Sequence, residues 1–183
     1  GSIGEGYGFS GKILDAQINI TNEVYIKNLT TDIKHIKSSN EDIFNLIVKN
    51  GTLLDIDLLD SEINIKRQND IFKIESLLNT KGKFNLTKIK KITSLLRFEV
   101  KNFNYVNATA DLNTKINLEL HKKLKIRNLS YSTEGNISSL RIKTNKKKII
   151  EEYLPDYDPN INIKVAKIKI TNSKKIQTLD LEG

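Results

Sequence analysis

Along most of this chain apolar and polar side chains take turns. Ile18 and Ile20 alternate with Gln17 and Asn19, and Leu54, Ile56 and Leu58 enclose Asp55 and Asp57. Ile63 with Ile65, Phe72 with Ile74, and Phe98 with Val100 repeat the pattern. Ile116, Leu118 and Leu120 follow one another, then Leu124 and Ile126; Ile161, Ile163 and Val165 lead into Ile168 and Ile170. A period of two marks strands with one buried face. Such strands suit an antiparallel sheet, apolar on one side and wet on the other. The alternation predicts that Ile18, Ile20, Ile26, Val48, Ile56, Ile65, Ile74, Val100, Leu118, Ile126, Ile142 and Ile163 share one face. Asp55, Asp57, Lys66, Lys73 and Glu119 fall on the other, because a slip of one residue would turn every side chain over.

Turn signals punctuate the series at Asn50-Gly51, Asn69-Asp70, Lys81-Gly82 and Glu134-Gly135-Asn136. Asn50-Gly51 is read as a two-residue type I′ hairpin, which needs positive φ at both central residues. Two segments break the period. Leu86 to Leu96 carries apolar residues at 86, 89, 92, 95 and 96, which is helical spacing, and Lys146 to Leu154 reads as a short helix stopped by Pro155. Helices this short need the sheet to pack on. The expected layout is a Gly-rich connection over 1–11, a repetitive β-sheet segment over 12–145, a short helix and Pro turn over 146–160, and further strands over 161–183.

A repeat underlies the strands. Ile26-Lys27-Asn28-Leu29, Val48-Lys49-Asn50-Gly51, Val100-Lys101-Asn102-Phe103 and Ile126-Arg127-Asn128-Leu129 share a β-branched residue, a base and Asn, and Ile74-Glu75-Ser76-Leu77 fills the gap imperfectly. Asn tolerates left-handed backbone and bonds its own main chain, which suits a strand end.

Composition narrows the classes of function. The formal charge is +8, but the bases are dispersed among 22 acids, and the densest cluster is Lys146-Lys147-Lys148. Ile, Lys and Asn all have A/T-rich codons, so basicity alone does not point to nucleic acid, and no nucleic-acid partner is expected. There is no Cys, which excludes disulfides and thiolate metal sites. There is no Met either, and the chain opens Gly1-Ser2, so a segment of a longer protein is expected. No run approaches the roughly 20 apolar residues of a membrane span.

The chemical motifs fail on context. Gly6-Tyr7-Gly8-Phe9-Ser10-Gly11 spells G-x-G-x-x-G, but a dinucleotide site needs a strand before it and a helix after it. Asp156, Asp158 and Asn160 imitate the start of a Ca²⁺ loop, yet Ile161 and Lys167 stand where Gly and Glu are required. Asp55 and Asp57 have no third ligand nearby in sequence, and neither His35 nor His121 has a catalytic motif around it. Glu151-Glu152 read as solvated helix charges. The expectation is a non-enzymatic protein with no catalytic residues, no metal and no cofactor.

The stretch FNLIVKNGTL (44–53), continuing through Leu58, and the pair VYIKNLTTD (24–32) and LKIRNLSYS (124–132) form units of strand, Asn-Gly or Asn-Leu, strand. These resemble the repeats of the AsmA-like family, the TamB and YhdP group of Gram-negative envelopes. The likeness spans residues 10–145. It implies a mainly β fold, an extended, twisted antiparallel sheet forming an open groove; the one or two short helices expected at 86–96 and 146–154, and the lack of an N-terminal membrane helix, depart from the family pattern. It further implies a repeat protein of the periplasm, inner-membrane anchored in its full length, that moves phospholipid toward the outer membrane in outer membrane biogenesis. The residues of the apolar face would then be the groove lining that binds phospholipid acyl chains, with the envelope membranes reached through other parts of the protein. The alternative is a structural or adhesive β-repeat module of a surface or phage protein. The two differ in one observable: a conduit leaves its apolar face open, whereas a structural module closes it under a second sheet.

Overall fold

The computed structural model describes residues 6–95, 99–121, 125–145, 156, 158–173 and 176–182. The predicted helix over 146–154 lies outside these residues. What is described is mainly β: β1 (Tyr7–Asn19), β2 (Tyr25–Lys37), β3 (Asp42–Leu53), β4 (Ile56–Leu58), β5 (Ser61–Gln68), β6 (Ile71–Asn85), α1 (Leu86–Leu95), β7 (Phe103–His121), β8 (Lys125–Thr144), β9 (Asn160–Ile163), β10 (Ala166–Ser173) and β11 (Ile176–Glu182). All strands join one 11-stranded sheet, ordered β1-β2-β3-β4-β6-β7-β8-β10-β11, with β5 between β3 and β6 and β9 beside β8. Every pairing is antiparallel, most join chain neighbours such as β1–β2, β2–β3, β6–β7 and β7–β8, and β3–β5, β4–β6 and β8–β10 skip one strand.

The helix sits where its apolar spacing predicts. Asn85 Oδ1 accepts the Lys88 backbone N–H at 2.8 Å, the bond of an N-cap, and starts the helix as β6 ends. Leu86 and Ile89 pack on a buried cluster of Val106, Ala108, Ala110, Ile137 and Leu140. Lys88 Nζ donates to the Asp55 carbonyl oxygen at 3.4 Å, and Lys91 Nζ lies 3.9 Å from Glu23 Oε2 in the β1–β2 turn. The helix is thus laid across one end of the sheet.

Several expectations are corrected. Asn50-Gly51 is not a hairpin but lies inside β3, at a shift in register where Thr30 faces Asn50 and Thr31 faces Val48. Gly51 is buried, and a Cβ there would touch Leu29 and Ile26 at 3.5 and 3.6 Å, so strand β2 covers the position where a turn would have to emerge. The two-residue turn comes later, at Leu54 and Asp55, both with positive φ (51° and 58°), the backbone of a type I′ turn. Lys81-Gly82 and Glu134-Gly135-Asn136 also lie within strands, β6 and β8. The Gly-rich connection begins as strand: β1 starts at Tyr7 and runs through Gly8 and Gly11. Asn69 does sit in a turn, with φ 54°, between β5 and β6.

Three Asn of the repeat, Asn28, Asn102 and Asn128, have left-handed backbone (φ 52°, 69° and 50°), whereas Asn50 does not. Asn28 and Asn128 stand at register shifts inside β2 and β8, where the extra residue forms a bulge. Bulges sharpen local twist and bend a strand.

Candidate functional site

The ladder register determines which side chains share a face. One row crosses six strands as Phe9, His35, Phe44, Ile65, Ile74 and Leu118. Parallel to it, Phe72 faces Leu120 and Leu120 faces Ile126. On the far side of the sheet's middle, Gly82, Ala110, Ile137 and Ala166 form a row, and Phe84, Ala108, Leu140 and Ile163 form the next. All of these belong to one apolar face. On the other face Lys34, Asn45, Asn64, Glu75 and Asn117 stand in one row and Lys66, Lys73, Glu119 and Arg127 in another.

Of the groove-lining residues expected from sequence, Ile18, Ile26, Val48, Ile56, Ile65, Ile74, Leu118, Ile126, Ile142 and Ile163 fall on the apolar face by this register. Two do not belong to a strand. Ile20 lies past the end of β1, where its N–H and that of Thr21 both bond the Val24 carbonyl oxygen in a turn, and it is 47% exposed. Val100 lies in the irregular segment before β7. Val165, expected to continue the alternation, is 72% exposed in the bend between β9 and β10. Asp57 is on the polar face with Lys66, Lys73 and Glu119, while Asp55 is exposed in its turn.

Burial is uneven along this face. Of the buried residues, Leu29, Val48, Ala110 and Ile137 lie well inside their strands, while Leu58 ends β4 and Ala166 begins β10. Small residues gather there: Gly51, Gly82, Ala108, Ala110, Gly135 and Ala166. Gly82 and Gly135 have φ of 152° and 158°, and a Cβ on Gly135 would lie 2.1 Å from the Asp111 carbonyl oxygen. Glycines and bulges at one level of a sheet mark a bend.

A cleft of about 380 Å³ demonstrates this bend, because Thr93, Val100, Phe103 and Tyr131 all line it. Phe103 pairs with Thr144 at one end of β8, and Tyr131 is roughly 40 Å away along a straight strand at ~3.3 Å per residue. Strands β7 and β8 therefore fold back, apolar face inward, close to the bulge between Thr109 and Ala110 and to Gly135. No second sheet covers the apolar face among the described residues, and α1 is the element that lies on it. Outside the bend the lining is only half-buried, as at Ile65, Ile74, Leu118 and Ile126.

One polar group on this face had no signal in the sequence. His35 is buried among aromatics, stacked on Phe44 at 4.0 Å between centroids and met edge-on by Tyr7 and Phe9. Its Nε2 stands 3.5 Å from Asp42 Oδ1, outside good hydrogen-bond length, and neither atom has a hydrogen-bond partner. The register Phe9–His35–Phe44 makes this cluster, and alternation alone cannot reveal which strands become neighbours.

On the polar face some of the charges are paired, as Lys66 is with Glu41, Lys81 with Asp111 and His121 with Glu119. A hydrogen bond from Lys66, 2.8 Å away, holds the Glu41 carboxyl below its ordinary range, helped by Gln68. Hydrogen bonds from His121 and Asn128 do the same for Glu119. No group of three or more His, Asp or Glu able to hold a metal occurs among the described residues, and none of their helices is long and apolar enough to cross a membrane. Asp158 Oδ1 accepts hydrogen bonds from the backbone and side chain of Asn160, a local turn bond. Comparison of the chain with protein families, curated proteins and solved structures returns no match.

Proposed function

We propose that the apolar face holds phospholipid acyl chains and that the chain is a non-catalytic segment of a lipid conduit between the inner and outer membranes of a cell envelope, akin to the AsmA-like family. One observation carries the reading: a single apolar face runs through strand after strand of one bent sheet, with no second sheet over it among the described residues. Lipid tails need a continuous apolar strip and little else. Each methylene removed from water contributes roughly 0.8 kcal/mol, so tails are held without a specific polar contact. Headgroups would stay at the open rim, where water and the Lys-rich outer surface are within reach. Movement along such a strip has no covalent step, so it needs no catalytic residue and no cofactor. In this reading the protein works in the periplasm, anchored to the inner membrane through another part of its chain.

The test is direct extraction. Protein purified from an envelope fraction is washed free of detergent, extracted with organic solvent and weighed for lipid by mass spectrometry. Stoichiometric phospholipid supports the conduit. Lipid-free protein that also fails to take up a fluorescent phospholipid refutes it and leaves the structural-repeat reading.

A further inference from the structure

We propose that the end of the apolar face beside the β2–β3 and β5–β6 turns is a headgroup subsite for an aminophospholipid, with Arg67 and Lys37 holding the phosphate and Asp42 the primary ammonium. The inference rests on the lipid-holding reading above and names the class of lipid. By the ladder register Lys37 faces Asp42 and Asp42 faces Arg67, so the three form one row of that face. The next row inward is His35, Phe44, Ile65, Ile74 and Leu118. Charge gives way to rings and aliphatic chains within a single row, the order in which a lipid presents its headgroup and tails. A pocket of about 290 Å³ opens at the charged row, lined by Lys37, Asp42, Arg67 and Asn69 together with the β2–β3 turn.

The polar groups of this pocket are incompletely satisfied. Asp42 Oδ1 and His35 Nε2 are buried 3.5 Å apart, and neither has a hydrogen-bond partner. Buried polar atoms are ordinarily paired, and an orphan acceptor costs free energy until a donor reaches it. Asp42 Oδ2 stands 4.0 Å from Arg67 Nη1, beyond hydrogen-bond length. The guanidinium is held instead over the Phe72 ring, while its Nε donates to the Asn69 carbonyl oxygen at 3.2 Å. Glu41, which also borders the pocket, is already bonded to Lys66 and Gln68. Two cations and one underpaired carboxylate are the complement of a phosphodiester that carries an ammonium. A headgroup without an amine would set its phosphate against Asp42 with nothing between them. A trimethylammonium has no N–H to give, and the rings that could receive it, Tyr7, Phe9 and Phe44, are packed on His35.

The test is headgroup preference. Tail-labelled fluorescent phospholipids with identical acyl chains and ethanolamine, choline or glycerol headgroups are titrated into the purified chain. The ethanolamine lipid is expected to bind about tenfold more tightly than either of the others, the worth of one charge-assisted hydrogen bond. Asp42→Asn should erase that preference, with Asp42→Ser as the second variant if circular dichroism shows the first unfolded. Arg67→Gln should weaken all three lipids, since each carries the phosphate, and Leu118→Asp should weaken all three and keep their ratio. Soluble glycerophosphoethanolamine, which has the headgroup and no tails, should displace none of them at equal concentration. Equal binding of the three lipids overturns the subsite and leaves the lipid-holding face standing, whereas binding of none overturns both. A preference that survives in folded Asp42→Asn overturns the subsite as well. So does displacement by the soluble compound, which would make the pocket a site for a free phosphodiester.

Discussion

A charge placed in the middle of the apolar face should weaken lipid binding about a hundredfold while the fold survives. Leu118 is the position of choice. It lies opposite Ile74 in the ladder, between Ile116 and Leu120 on its own face, and it is only half-buried. Arg67, a cation on the same face, stands two strands away, over the Phe72 ring and 4.0 Å from Asp42. An aspartate at position 118 therefore has no ready partner; covered by a lipid tail it would cost several kcal/mol or take up a proton. If it denies contact to about four methylenes, at ~0.8 kcal/mol each, affinity falls by about 3 kcal/mol, roughly a hundredfold. Titrating a fluorescent phospholipid into purified Leu118→Asp and parent protein measures this, with circular dichroism and thermal denaturation alongside. Ile126→Asp is the companion variant. Glu119→Lys is the polar-face control: it sets a third base beside Lys73 and Arg127, at a stability cost of about 1 kcal/mol or less, and lipid binding should stay unchanged. A folded Leu118→Asp protein that binds like the parent would refute the reasoning.

Gly135→Ala forces a Cβ against the Asp111 carbonyl oxygen at an unfavourable φ and should destabilise the chain by about 2 kcal/mol or more; Gly82→Ala, whose nearest neighbour is Ile56 at 3.5 Å, should cost less in the same thermal melts. Asn28→Ala places alanine in left-handed backbone and should cost about 1–2 kcal/mol by denaturant titration, whereas Asn28→Gly should be close to neutral. The Glu41 carboxyl is lowered by Lys66, so the stability it adds is present above the ordinary pKa of 4.5 and is lost as pH falls toward the lower folded value. Carboxyl NMR of Lys66→Met should show Glu41 titrating at higher pH than in the parent.

The period of two was enough to predict an antiparallel sheet and to sort most residues between its faces, since register follows from which face must leave water. The amphipathic spacing of 86–96 likewise marks the helix, observed over Leu86–Leu95. Long-range geometry was harder to read. Gly82 and Gly135 look like turn residues in a linear reading because glycine favours turns, but here they serve the bend within strands far longer than the average of five or six residues. Asn50-Gly51 looks like a hairpin for the same reason, and the packing of Leu29 and Ile26 on Gly51 overrides it. Ile20 continues the alternation one step too far: Thr21 Oγ1 accepts the N–H of Val24 and closes a turn there. The His35 cluster depends on strand neighbours, which no periodicity within one strand encodes.

In the lipid-conduit proposal one face of the sheet, and not the other, meets lipid. The most direct measurement is a walk of single photoreactive residues along β7 from Lys115 to Leu120, with protein loaded with phospholipid, irradiated and analysed for adducts. Positions 116, 118 and 120 face Ser76, Ile74 and Phe72 on the apolar side, while 115, 117 and 119 face Leu77, Glu75 and Lys73 on the polar side. Adducts should therefore appear at 116, 118 and 120 and be absent at 115, 117 and 119. Equal labelling at all six positions, or labelling at none, would contradict a lipid-holding face.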